Sequence, residues 1–155
     1  ISHGFGAGFT ASFDWVGTKD PTALLCVPDA LRFIDRELFG LDSLIERTAT
    51  LREQALDVLS LAGLQRTAPA SMHAALATLA LPVEGGADAA FALHLALRAA
   101  GVEVPVFHFC GRLWLRISVA AYNVLDDYER LVGALRGLGV LSKASAASQR
   151  EDRQQ

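Results

Sequence analysis

The chain has 155 residues, 52% hydrophobic and 20% charged, with a net charge of −3. That is long enough for one domain with a single core, too apolar for a disordered segment, and without the basic footprint that nucleic-acid binding needs. Pro28, His73, Pro82, His94 and Arg98 interrupt the longest apolar runs, so none approaches the ~18 residues of a membrane span, and Cys26 and Cys110 make no disulfide framework.

Taken in order, residues 1–13 carry glycines at alternate positions, Gly4, Gly6 and Gly8, which permit unusual backbone angles or close approach of another chain. The chain opens on Ile1 with no basic leader, the expectation for a fragment of a longer protein. Phe13-Asp14-Trp15-Val16 reads as a short strand running into Gly17-Thr18-Lys19-Asp20-Pro21-Thr22, a turn and helix-start cluster. Asp20 or Thr22 suits a cap, and Pro28 forces a kink or opens a new helix that runs through Leu31, Ile34 and Leu38 to Gly40.

A helix from Asp42 to Gly63 buries Leu44, Thr48, Leu51, Ala55, Leu59 and Ala62, with Arg47, Arg52, Glu53 and Asp57 on its solvated side. Met72 to Leu81 has helical propensity in its alanines, but its place between helices favours a buried strand closed by Pro82. Gly85-Gly86 then opens a helix to Ala100, with Phe91/Leu95 and Leu93/Leu97 as apolar pairs and Gly101 as its stop. Val102–Phe109 reads as a strand turning at Cys110-Gly111 into a hairpin partner. Asn123 caps a last helix with Leu125, Tyr128, Leu131, Leu135 and Leu138 inward and Gly139 as stop. From Ser142 onward, Ser, Ala, Gln and charges without periodicity make a disordered tail. The sum is an α+β layer of about three strands carrying helices.

The hairpin partner, Gly111-Arg112-Leu113-Trp114-Leu115-Arg116-Ile117-Ser118, holds the clearest chemical signal. Leu113, Leu115 and Ile117 share one face and Trp114, Arg116 and Ser118 the other. An arginine in so apolar a strand calls for an anion, and its planar fork suits a carboxylate or phosphate. The anion is either an internal Asp or Glu or a ligand, and both remain open on this stretch alone. His3, His73, His94 and His108 are scattered, no spacing matches a metal site, and no nucleophile–base arrangement is present.

Several segments resemble, in order, the class V pyridoxal-phosphate enzymes of the isopenicillin N epimerase-like branch. Phe13-Asp14-Trp15-Val16-Gly17-Thr18-Lys19-Asp20-Pro21 is similar to its Phe-Glu-Trp-x-Gly-Thr-Arg-Asp segment. Ala68–Pro82, Val104-Pro105-Val106, Leu115-Arg116-Ile117-Ser118, Tyr122-Asn123 and Asp127-Tyr128-Glu129-Arg130-Leu131 resemble its later strands and closing helix. Plant cysteine desulfhydrases resemble the chain in the same segments. The resemblance implies the small C-terminal domain of a homodimeric, cytoplasmic enzyme that uses pyridoxal 5'-phosphate on a small amino acid. Residues 1–21 would lead in from a large domain, 22–139 would form the small domain, and 140–155 the tail.

In such enzymes Gly17 and Thr18 would hold the cofactor phosphate across the dimer, Arg116 the substrate α-carboxylate, and His3 would line the site. Epimerisation at Cα is the implied reaction, with cysteine β-elimination or transamination as alternatives. The lysine that binds the family's cofactor covalently lies upstream of Ile1; Lys19 and Lys143 have neither its position nor its surroundings. No residue of this chain is therefore expected to be catalytic, and the chain alone is expected to be inactive. A truncated interaction module is the alternative of another class. Cys110 lies too near Arg116 for the mobile nucleophile loop of cysteine desulfurases and reads as a packed thiol, and Trp15 and Trp114 read as packing residues.

Overall fold

Strict alternation of apolar and polar side chains from Arg112 to Ser118 builds the centre of a four-stranded antiparallel sheet. A computed structural model describes residues 3–14, 17 and 20–142, in two units, 1–41 and 42–155. The second unit holds the sheet, in the order β1 (Gln65–Arg66), β2 (Leu76–Glu84), β4 (Arg112–Ser118), β3 (Val106–Phe109). Helices α4 (Leu41–Leu61), α5 (Ala87–Ala99) and α6 (Leu125–Gly137) supply the rest of its core.

The expected inner face of β4 is buried: Leu113, Leu115 and Ile117 are 3%, 0% and 2% exposed. They join Ala77, Leu79 and Leu81 of β2, Leu56 and Leu59 of α4, Leu97 of α5, and Leu131 and Leu135 of α6 in one apolar cluster. The hairpin forms as its sequence implies, with Phe109 paired to Arg112 across Cys110 and Gly111. Both turn residues have positive φ, 48° and 76°. That is the primed two-residue turn whose twist matches the strands it joins. Gly63, Gly101 and Gly139 follow the ends of the three long helices, and at Gly101 (φ 79°) the left-handed step lets the Val102 amide donate back to Leu97 O, 2.9 Å.

Several expectations need correction. The sheet has four strands: β1 is only two residues long and owes its conformation to pairing with Leu79 and Ala80 of β2. Strand β2 starts at Leu76, after a 3₁₀ turn over Ala70–Met72, and runs through Pro82 to Glu84. Proline is tolerated there because the register with β4 shifts between Ala80 and Glu84, a bulge where no ladder donor is required. On α5 the inward residues are Ala90, Leu93 and Leu97, leaving Phe91 64% exposed. The small Ala90 sets that face, three and seven residues before its partners.

Arg52 is buried, not solvated, for reasons of hydrogen bonding developed below. Asn123 does not cap α6; its Oδ1 accepts the Ala120 amide, 2.9 Å, and Asp127 Oδ2 accepts the amide of Val124, the N-cap residue, 3.1 Å. Cys110 is exposed at the hairpin tip instead of packed. Val140 and Leu141, assigned to the tail, pack on the core, with Leu141 3% exposed. Residues 143–155 lie outside the described residues.

The first unit comprises α1 (Phe9–Asp14), α2 (Thr22–Leu25) and α3 (Val27–Glu37), none with a buried residue. Phe13 and Asp14, expected in a strand, end α1, while Trp15 and Val16 lie outside the described residues. Ser12 Oγ donates to Gly4 O, 3.3 Å, and a Cβ on Gly4 would meet Ala11 O at 1.9 Å, so this glycine serves close approach. Pro28 stands in the first turn of α3, as a separate helix requires. Asp20 accepts the Thr22 amide, 3.0 Å, and the Thr22 hydroxyl at the entrance to α2. These two bonds hold its carboxyl below the usual carboxylate range.

Candidate functional site

Antiparallel registry decides where Arg116 stands. It pairs with Thr78 of β2, while its amide donates to Pro105 O, 3.2 Å, on the other side, so it occupies the middle of the sheet. Its neighbours Leu115 and Ile117 point into the core, so Arg116 belongs to the opposite face and is exposed. The salt bridge offered by the sequence as an alternative has no partner: among the described residues Arg116 makes no ion pair and no side-chain hydrogen bond.

Arg116 lines a cleft of about 560 Å³. Arg116–Ser118 form one wall, the first turns of α6 with Asp127 and Arg130 a second, and Gly101–Pro105 a third. Three contacts brace these walls. The buried Tyr128 hydroxyl donates to Ser118 O, 2.8 Å; Val119 N donates to Ala75 O, 2.8 Å; and Asn123 Nδ2 donates to Asp127 Oδ2, 3.1 Å. Burial first, then the charge of Asp127 and the nearby Tyr122, push the Tyr128 phenol up to about 12, so it stays a donor at neutral pH. The Asn123 amide, followed by the Val124 N–H, holds the Asp127 carboxyl below its ordinary range.

The acids on these walls are engaged. Asp127 accepts the two bonds just described, and Glu103 lies 3.4 Å from Arg98 Nε and 3.7 Å from His94 Nε2. The His94 ring nitrogen Nδ1 bonds Val104 O, 2.9 Å. Arg116 thus lines the cleft without an ion-pair partner among the described residues, the arrangement that accepts an anion, whereas the charge of Arg130 acts on Asp127. Sequence reasoning found Arg116 through strand alternation and missed Arg130, which shares the cleft. It carried no periodic signal: Arg130 follows the buried Tyr128 by two positions on α6, about 200° around the helix, on the side away from the inner face.

The remaining site residues belong to the first unit. Gly17 is half-buried with φ 104° and open space where a Cβ would stand, so its backbone is approachable by an anion. Thr18 and Lys19 lie outside the described residues. His3 is exposed in a turn. Among the described residues no cluster of His, Cys, Asp and Glu could hold a metal ion, and no helix is long and apolar enough to cross a membrane.

No protein-family model matches the chain. The chain is 30% identical over 151 residues to "Probable L-cysteine desulfhydrase, chloroplastic" of Arabidopsis thaliana, covering 89% of this chain and 32% of that protein. It is 30% identical over 161 residues to an L-cysteine desulfhydrase of the same plant, covering 89% and 35%. The chain therefore spans about a third of the length of these relatives. Among solved structures, 8-amino-7-oxononanoate synthase from Francisella tularensis matches with a TM-score of 0.60 at 13% identity, over 84% of this chain and 36% of that one. The fold is α+β, that of part of a pyridoxal-phosphate-dependent transferase. As a group, the similarities support the pyridoxal-phosphate, aminotransferase-like enzymes, through relatives named for cysteine desulfhydration and not for isopenicillin N epimerisation.

Proposed function

We propose that this chain is the C-terminal portion of a pyridoxal-phosphate-dependent enzyme that acts at the α-carbon of an amino acid, with Arg116 as the ligand of the substrate carboxylate. One observation carries the reading: an exposed guanidinium on a central strand, without an ion-pair partner among the described residues, faces a cleft whose acids are engaged elsewhere. A bidentate fork on a carboxylate contributes about 1.5–3 kcal/mol and fixes two atoms of the substrate at once. Holding the carboxylate on a rigid strand orients the Cα–H bond for abstraction. The Tyr128 hydroxyl on Ser118 O keeps the end of that strand in place.

Gly17 and Thr18 hold the cofactor phosphate, the first through an approachable backbone N–H and the second through a hydroxyl. His3 lines the substrate site. When bound, pyridoxal phosphate supplies the electron sink for charge that develops at Cα. The enzyme works as a cytoplasmic homodimer. This chain alone is inactive, because Lys19 and Lys143, its two lysines, are unsuited to hold the cofactor covalently.

Release of the β-thiol of L-cysteine is the reaction the names of the relatives favour. Epimerisation at Cα is the second reading, carried by the Gly17-Thr18 and Arg116-Ile117-Ser118 segments. The test is to incubate the complete polypeptide encoded around this chain with pyridoxal phosphate and L-cysteine. Sulfide and pyruvate should appear together. Deuterium entering Cα from solvent, without sulfide, would replace elimination by epimerisation; neither product nor exchange with any amino acid would sink the proposal.

A further inference from the structure

We infer that Tyr122 is a second residue of the carboxylate site: its ring closes over the pair formed by Arg116 and the substrate carboxylate and keeps water from it. This rests on the reading of Arg116 as the carboxylate ligand, and it holds for L-cysteine as for any other amino acid.

The need for a cover follows from where Arg116 stands. Its side chain belongs to the exposed face of β4. An ion pair left in open water is worth little, because solvent and salt screen it while both groups must be held in one geometry. The same bidentate pair binds roughly tenfold more tightly once water is excluded. Arg116 on an open strand is therefore half of a carboxylate site. The other half is an apolar surface that can be brought against it.

Tyr122 supplies that surface. It lines the same cleft and is 85% exposed, whereas Val104, Ile117, Tyr128 and Leu131 of the lining belong to the core. Its side chain has no hydrogen bond and no ring partner among the described residues. The backbone beneath it is fixed all the same. Ala120 N donates to Asn123 Oδ1, 2.9 Å, and Asn123 N donates back to Ala120 O, 3.1 Å, while Asn123 Nδ2 donates to Asp127 Oδ2, 3.1 Å. The phenol lies close enough to that of Tyr128, itself bonded to Ser118 O, for its charge to act there, which sets the ring at the β4 wall of the cleft. A braced turn that carries a free aromatic ring suits ligand contact, since tyrosine covers a large area with only two torsions to immobilise. The ring face also attracts a guanidinium beneath it.

The test uses the complete, cofactor-loaded polypeptide and L-alanine, which has the α-carboxylate but no β-leaving group. Kd is read by titration calorimetry at low and at high salt. Tyr122→Ala should weaken binding roughly tenfold and make it more sensitive to salt, with the cofactor's absorption and Tm unchanged. Tyr122→Phe, which keeps the ring, should bind as the native protein does. Native affinity in Tyr122→Ala, or a lowered Tm with affinity unchanged, would overturn the inference. So would a loss in Tyr122→Phe as large as in Tyr122→Ala, because the hydroxyl and not the cover would then be at work. Arg116→Lys separates the two readings. Weak binding by Arg116→Lys beside full binding by Tyr122→Ala sinks the role of Tyr122 alone; full binding by Arg116→Lys sinks the carboxylate role of Arg116 and the cover with it.

Discussion

Replacing Arg52 by alanine should unfold the second unit far more readily than the polar pattern of α4 implies. Its side chain is 10% exposed. Nη1 donates to Ala74 O at 2.6 Å and His73 O at 3.3 Å, while Nε and Nη2 meet Glu53 Oε1 at 3.0 and 2.9 Å. The guanidinium thus ties α4 to the turn that feeds β2. Charge-assisted hydrogen bonds contribute about 1.5–3 kcal/mol each, and the Glu53 pair, 39% exposed on the acid, adds little. Water entering the vacated space recovers part of the loss, which leaves about 2–4 kcal/mol. At ~4–8 °C per kcal/mol for a unit of this size, Tm should fall by roughly 10–30 °C. Urea denaturation followed by circular dichroism measures the difference. Arg52→Lys, which keeps the charge but not the fork, should lose about half as much. A loss below ~0.5 kcal/mol for Arg52→Ala would refute the reasoning and return Arg52 to the solvated face.

Other outcomes follow from the same geometry. Asp127→Ala should cost about 0.5–2 kcal/mol, because the amide of Val124 loses its acceptor at the start of α6. The Asp127 carboxyl is held below its ordinary range in the folded state, so the advantage of the native residue over alanine is full above pH ~4 and fades as pH falls through the lowered value. Tyr128, pushed up to about 12, should titrate late by 13Cζ NMR; its stabilising effect is complete below pH ~10 and is lost as pH rises from ~10 toward 12. An ordinary titration near 10 would mean that the phenol is not buried beside Asp127 in solution. Cys110→Asn should raise stability by roughly 0.5–1 kcal/mol, since asparagine accepts the left-handed backbone at φ 48° more readily than cysteine.

What was legible in the sequence was whatever a local period or a single backbone rule determines. The alternation of Leu113, Leu115 and Ile117 located the core face of β4 and, by exclusion, the face of Arg116. Cys110-Gly111 located the hairpin turn, and Pro28 the start of α3. What was hidden depends on partners distant along the chain. Gln65 and Arg66 form a strand only because β2 offers them an edge, and Pro82 stays within β2 only because of a bulge against β4. Helical period set Arg52 among polar residues, yet carbonyls 21 and 22 residues away draw it inward. Phe13 and Asp14 carry too little local signal to choose between strand and helix, and the structure makes them helical. Arg130 reads as a solvated helix residue until the fold brings α6 beside the end of β4.

The central claim, that Arg116 binds the substrate carboxylate, is tested most directly by Arg116→Lys in the complete enzyme. The lysine keeps the positive charge on the exposed face of β4 but loses the two-pronged fork. Apparent affinity for the amino-acid substrate should weaken roughly tenfold or more, while the cofactor's absorption and the thermal unfolding of the protein stay nearly as they were. If the lysine enzyme instead unfolds or sheds cofactor while its substrate affinity is unchanged, Arg116 supports the sheet and the claim is wrong.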